Sequence, residues 1–139
     1  MSFAFMFKHE TQIRVRYGET DQMGYVYHGN YALYYEVARV EALRELGFSY
    51  KKMEENGTML PVHELDIKYL KPAYYDDVLR VVVTIKEPPV LRLKFNYEVY
   101  SSKNELLNTG NVVLVFIDKA TNKPIRCPKP MLDKIIAYL

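Results

Sequence analysis

Apolar residues run most of the way round the segment from Tyr31 to Leu46, and this feature constrains the fold more than any other. Tyr31, Tyr34, Tyr35, Ala38, Ala42 and Leu46 recur at helical steps and form one stripe, while Leu33, Val37 and Val40 form a second. A helix on a protein surface carries one apolar stripe, so this one has to be largely enclosed. Its ends are marked. Asn30 can cap the start, and Gly47 stands where a left-handed residue closes a helix.

The enclosing element is legible as strands. From Thr11 to Tyr17, apolar Ile13, Val15 and Tyr17 alternate with Gln12, Arg14 and Arg16. Four more alternating segments are predicted at about Val62 to Leu70, Val78 to Lys86, Val90 to Ser101 and Glu105 to Asp118. In the third of these, Leu91, Leu93, Phe95, Tyr97 and Val99 face one way and Arg92, Lys94, Asn96 and Glu98 the other, as in an antiparallel sheet with one solvated face. Turn residues at Glu87, Pro88 and Pro89, and again from Ser101 to Asn104, make the last three strands a meander. Thr121, Asn122 and Pro124 then turn the chain. Pro128 or Pro130 can start a short helix whose apolar side is Met131, Ile135, Ile136 and Leu139, expected to pack on the sheet. The order strand, long helix, four strands, short helix predicts a two-layer α+β domain in which a five-stranded antiparallel sheet wraps a long central helix, with residues 1–139 as a single domain. One helix cannot cover such a sheet on both faces, and two strand edges stay unpaired. A second copy of the chain is therefore expected to complete the burial.

Composition narrows the partners. A chain of 139 residues with 49% hydrophobic content supports one core and is short for two. The formal net charge is +2, with no polybasic block or acidic tail, which argues against nucleic acid or a membrane surface and leaves room for a small anionic ligand. The single cysteine, Cys127, cannot form an intramolecular disulfide, and Met1 to Glu10 has neither the charge nor the apolar run of a leader, so a cytoplasmic protein is expected. No apolar stretch approaches the roughly 20 residues of a transmembrane segment.

The densest chemistry lies between the first strand and the helix: Thr20, Asp21, Gln22, Met23, Gly24, Tyr25, Val26, Tyr27, His28, Gly29, Asn30, Tyr31. It combines an acid, glycines that let backbone approach a ligand, and a helix N-terminus. A carboxylate there can attack a thioester carbonyl or activate a water, and unpaired amides at the helix start, including that of His28, can stabilise the oxyanion. Asp21 can equally do what most loop aspartates do and bond turn amides. The His28 imidazole can act as an acid or simply cap and pack. Tyr34 and Tyr35 read as core, and Tyr27 or Tyr31 as pocket wall. Glu36 and Arg39, one turn apart, read as an intrahelical pair. His9, His28 and His63 are isolated, so no metal site is expected, and no Gly-x-Ser-x-Gly turn of a serine hydrolase occurs. Cys127 reads as inert.

The string resembles the signature of the 4-hydroxybenzoyl-CoA thioesterase family of hotdog-fold proteins. In its Thr-Asp-x-x-Gly-x-Val-Tyr-His-x-x-Tyr form, matched at Thr20, Asp21, Gly24, Val26, Tyr27, His28 and Tyr31, it looks most like the branch associated with the Tol-Pal system. The resemblance covers nearly the whole chain. It implies a hotdog fold and hydrolysis of acyl-CoA thioesters, with Asp21 as nucleophile or general base, the His28 amide as oxyanion donor, and a site at a dimer interface of a homodimer or homotetramer. It further implies that Gly24, Tyr25, Val26, Tyr27, Gly29 and Tyr31 meet the substrate, and that no cofactor is needed, coenzyme A entering as part of the substrate. Bulky Tyr25 departs from the pattern. A second acid is unassigned, Glu64 or Asp66 being within reach, and Lys68, Lys71, Arg80, Arg92 or Lys94 can meet coenzyme A phosphates. A silent acyl-CoA-binding module and an acyl carrier protein thioesterase are the alternatives, and an intact Asp21 favours an enzyme.

Overall fold

The computed structural model describes residues 6–139, so Met1 to residue 5 of the opening segment lie outside the described residues. The chain runs β1 (Phe7–Arg14), α1 (Tyr31–Glu45), α2 (Tyr50–Glu55), β2 (Thr58–Met59), β3 (Val62–Tyr69), β4 (Val78–Ile85), β5 (Arg92–Tyr100), β6 (Leu106–Val115), β7 (Ile117–Asp118), β8 (Lys123–Pro124) and α3 (Lys129–Ile136). Five strands form one sheet in the order β1-β4-β5-β6-β3, with every pair antiparallel. The three consecutive strands β4, β5 and β6 are the expected meander. Register places Val81 opposite Val99 and Phe95 opposite Val112, so the apolar positions share one face. Leu79, Val81, Val83, Ile85, Leu93, Phe95, Tyr97, Val99, Val112 and Leu114 are all buried there.

Helix α1 lies on that face. Its first stripe is buried throughout, and Tyr35 is fixed in three ways. The ring stacks on Tyr97 with centroids 4.0 Å apart and planes 3° apart, the hydroxyl donates to Asn108 Oδ1 at 2.7 Å, and the ring fits over Gly110. This is the hotdog arrangement that the resemblance implies: a long helix held in the curve of a five-stranded sheet. Helix α3, started after Pro128, buries Met131 and Ile135, and Tyr138 meets Phe7 edge to face at 5.0 Å. No helix among the described residues is long and apolar enough to cross a membrane.

Several sequence expectations need correction. Strand β1 ends at Arg14 because its pairing with β4 ends there, at Arg14 opposite Val78, and Tyr17 turns outward in a one-turn 3₁₀ helix, 76% exposed. Leu91 is exposed because β5 begins only at Arg92, after the bend. The last predicted strand breaks at Phe116. Its end, β7, joins a small sheet of order β2-β7-β8 that short strands without periodicity gave no means to foresee. Helix α2 was also unpredicted, although both its signals are present: Ser49 Oγ accepts from the Lys52 amide at 3.4 Å, and Gly57 follows it at φ +91°.

Gly47 closes α1 at φ +92° as expected, but Asn30 is not its side-chain cap. The Asn30 backbone is already helical, and its Nδ2 donates instead to the Glu19 carbonyl at 2.8 Å. Arg39 does not pair with Glu36 on the surface; it is buried, with Nε donating to the Tyr50 hydroxyl at 3.2 Å. Ile136 faces outward. The second stripe of α1 is not enclosed within the chain: Leu33 is 57% and Val37 44% exposed, and Val40 is half-buried.

The packing around Tyr35 generates a test. A Cβ on Gly110 would stand 2.5 Å from the Asp66 carbonyl oxygen and 2.6 Å from the Tyr35 ring, neither of which can swing away. Gly110→Ala is expected to destabilise the protein by about 3 kcal/mol through overpacking, read from denaturant unfolding midpoints. A loss below about 0.5 kcal/mol would mean that Tyr35 is not tightly fixed.

Candidate functional site

The loop between β1 and α1 is built as a short hairpin. Thr20 and Val26 form an antiparallel bridge, the Asp21 amide donates to the Tyr25 carbonyl at 2.8 Å, and the Gly24 amide donates to the Asp21 carbonyl at 3.0 Å. Gly24 at φ +80° supplies the left-handed turn that this closure needs. The hairpin is pinned to the chain beyond β3, because the Val26 amide donates to the Ala73 carbonyl at 2.9 Å and Tyr25 bridges Tyr74, ring against ring at 5.5 Å. A single 3₁₀ turn, His28–Asn30, then leads into α1.

These constraints bring both expected parts of the chemistry to one cleft. A cavity of about 300 Å³ is lined by Asp21, Tyr25, Val26, His28 and Tyr31 on one side and by the run Tyr69 to Pro72 on the other. Asp21 does what a loop aspartate does with one oxygen only: Oδ1 accepts from the amides of Met23 at 2.9 Å and Tyr25 at 3.4 Å. That holds the carboxylate in one orientation and leaves Oδ2 without a partner among the described residues. No carbonyl among the described residues accepts from the amides of His28 or Gly29. These donors are the orphans every helix start leaves, and they carry the positive end of the α1 dipole. The Tyr69 hydroxyl donates to the His28 carbonyl at 3.1 Å and ties the helix tip to the end of β3.

Of the residues expected to meet substrate, Tyr25, Val26 and Tyr31 line the cavity, while Gly24, Tyr27 and Gly29 lie in the same loop but off its wall. Tyr27 packs its ring on His28, centroids 4.4 Å apart, so Tyr31 takes the pocket position left open between the two. Burial pushes the Tyr31 phenol up to about 12, keeping it protonated near neutral pH. Tyr34 and Tyr35 are core, as expected.

Neither Glu64 nor Asp66 reaches the cavity, because their positions in β3 alternate with Tyr69 and face the other side of the sheet. Asp66 instead accepts from Asn111 Nδ2 at 3.1 Å. Among the basic candidates Lys71 lines the cavity, paired with Glu105 at 2.7 Å, whereas Lys68, Arg80, Arg92 and Lys94 do not line it. Cys127 is buried, which pushes its thiol up to about 12. Among the described residues, no group of three His, Cys, Asp or Glu side chains can hold a metal ion.

Sequence reasoning missed Glu19 and Tyr69. The only signal for Glu19 was an acid directly before Thr20 and Asp21, and for Tyr69 its place at the end of an alternating strand. Glu19 Oε1 accepts from the Arg16 amide at 2.7 Å and the Tyr34 hydroxyl at 2.8 Å, and Oε2 accepts from the Arg16 guanidinium at 3.0 Å. Burial alone would raise this carboxyl, but those donors and the Arg16 charge outweigh it and hold it below the ordinary carboxylate range.

Residues 15–135 match the family model described as the thioesterase-like superfamily. The chain is 37% identical over 127 residues to the Bacillus subtilis (strain 168) protein YneP, covering 91% of this chain and 92% of that one. It is 33% identical over 120 residues to the acyl-CoA thioester hydrolase YbgC of Escherichia coli O6:H1, covering 86% and 90%. Among solved structures, a DHNA-CoA thioesterase from Staphylococcus aureus superposes with a TM-score of 0.87 at 39% identity, covering 94% of this chain and 89% of that one.

The Glu19 bonds imply a pH dependence. A carboxyl with a folded pKa below its unfolded value contributes stability that is present above the unfolded value, near 4.5, and is lost as pH falls through the folded value. Glu19→Gln is therefore expected to be less stable than the parent at neutral pH, with the gap closing on acidification below that value. Denaturant midpoints across the acid range measure it, and a gap independent of pH contradicts the assignment.

Proposed function

This chain belongs to the thioesterase-like superfamily, and from that premise we propose that it hydrolyses acyl-CoA thioesters to free acid and coenzyme A, with Asp21 as the acting carboxylate. The observation that carries the reading is the shared cleft: Asp21, with one carboxylate oxygen unpartnered among the described residues, and His28, whose amide no carbonyl there accepts from, line one cavity. In such a site the thioester carbonyl oxygen takes the His28 amide, whose partial positive charge stabilises the oxyanion as the carbonyl carbon becomes tetrahedral. Asp21 either attacks that carbon itself or takes a proton from an attacking water. In both cases the carbon–sulfur bond breaks and the coenzyme A sulfur gains a proton; an activated water delivers its hydroxyl to the acyl carbon at once, whereas direct attack leaves the acyl group on Asp21 as a mixed anhydride that water then cleaves to the free acid and the restored carboxylate. Holding Oδ1 with two turn amides keeps the other oxygen aimed without cost at the moment of reaction. The acyl chain lies along α1 past Tyr31, and Lys71 at the rim meets coenzyme A phosphate.

The active unit in this reading is a homo-oligomer. Leu33 and Val37 on α1, and Val62 and Leu65 on β3, are exposed apolar side chains, and one edge of β3 is unpaired among the described residues. A second copy covering that surface removes an apolar face from water and closes the cavity beside Tyr69 and Leu70, both of which are half exposed.

Two outcomes check the reading. Thiol release from a panel of acyl-CoA thioesters is expected for the parent protein, and Asp21→Asn is expected to lower kcat about 10³-fold with folding unchanged; wild-type turnover in that variant would remove Asp21 from the chemistry. Leu65→Lys is expected to shift the oligomer towards monomer in sedimentation velocity and to lose activity with it. A monomeric variant that kept full activity would show that one chain holds the complete site.

A further inference from the structure

One residue outside the cavity ties the Asp21 loop to the helix beside it. Glu19 sits two residues before Asp21, and its side chain is only 14% exposed. Its carboxylate joins the end of the first strand to the helix: Oε1 accepts from the Arg16 amide at 2.7 Å and from the Tyr34 hydroxyl on α1 at 2.8 Å, while Oε2 accepts from Arg16 Nε at 3.2 Å and from its terminal nitrogen at 3.0 Å. Its carbonyl joins the two ends of the Asp21 hairpin, accepting from the Tyr27 amide at 2.9 Å and from Asn30 Nδ2 at 2.8 Å. Six hydrogen bonds thus converge on one residue from three separate places: the strand end, the residues just before the helix, and the helix body.

Their common consequence is geometric. Asp21 follows the clamp by two residues, and His28 lies between the two groups that bond its carbonyl, Tyr27 and Asn30. Loss of the carboxylate leaves the two carbonyl bonds to Tyr27 and Asn30 in place but cuts the tie from Arg16 to Tyr34, so the loop that carries Asp21 and the helix-tip amides shift together against the body of α1 and lose their fixed separation, while that body stays seated through Tyr35. A displacement of about 1 Å between reacting groups is enough to lower a rate about 10²-fold.

Resting on the hydrolysis reading above, we infer that Glu19 is a positioning residue: it sets the distance between the Asp21 carboxylate and the His28 amide and acts on turnover without touching substrate. Binding relies on the cavity wall from Tyr25, Tyr31 and Tyr69, none of which Glu19 bonds, so its loss falls on kcat and spares KM.

The test uses the full-length chain and the acyl-CoA thioester that the parent turns over fastest, below the unfolding transition of every variant. Glu19→Ala is expected to lower kcat about 100-fold with KM within about threefold. Tyr34→Phe deletes one hydroxyl, keeps the buried ring, and is expected to lower kcat about fivefold. Because both act through the same carboxylate, the double variant should match Glu19→Ala alone. Tyr34→Phe with parental kcat overturns the proposal, including in the case that Glu19→Ala does not fold, and so do additive losses or a loss confined to KM. A second readout is independent of turnover: in Tyr34→Phe the backbone amide resonances of Met23, His28 and Gly29 are expected to shift while those of β5 and β6 stay in place, and unmoved loop resonances overturn it. A parent protein that releases no thiol while these resonances do shift would instead count against the hydrolysis reading alone.

Discussion

Tyr35 fixes the long helix in the sheet, and the geometry of the site depends on that contact. Stacked flat on Tyr97 and bonded through its hydroxyl to Asn108, it occupies space that exists because residue 110 has no side chain. Stacking of this kind is worth about 1 kcal/mol beyond the area buried, and a buried hydrogen bond about as much again. Neither figure is large beside the whole core. What they supply is direction: a ring held on its face, at its edge and at its hydroxyl leaves the helix no freedom to slide or rotate, so the start of α1, four residues earlier, has a defined position.

From that fixed helix the cleft is assembled by short-range bonds. The hairpin from Thr20 to Val26 turns at Gly24, hangs on the Ala73 carbonyl, and presents Asp21 with one oxygen held and one free. Tyr69 brings the end of β3 to the His28 carbonyl and so builds the opposite wall. A carboxylate and an unsatisfied amide would each be costly to enclose alone, and here Asp21 and His28 both line an open cavity. The apolar surface of α1 and β3 follows from the same plan, since a helix cradled on one side by its sheet keeps its second stripe bare.

How much of this can be read from residues alone varies with the range of the interactions involved. Strand β5, paired on both sides, shows clean alternation, and its inward residues from Leu93 to Val99 were legible. The misreadings fall at strand ends, at Tyr17 and Leu91, where what decides is how far the neighbouring strand continues. The two stripes of α1 were both seen, and the expectation that the strands largely enclose the helix holds for the first stripe and fails for Leu33 and Val37, which the described residues leave exposed. Asn30 looked like a cap because its type suits one; a carbonyl eleven residues earlier won its side chain. At the site, Asp21 and His28 were visible in a compact string, whereas Tyr69 and Glu19 act through contacts 41 and 15 residues away in sequence, for which local pattern holds no signal.

The account stands or falls on where a thioester carbonyl sits relative to the two ends of this loop. A crystal structure of Asp21→Asn with a bound acyl-CoA measures it directly. The account predicts the carbonyl oxygen about 2.7–3.1 Å from the His28 amide nitrogen, with the residue 21 side chain over one face of the planar thioester carbonyl. A carbonyl bound elsewhere, or turned away from the helix tip with residue 21 facing solvent, would contradict it.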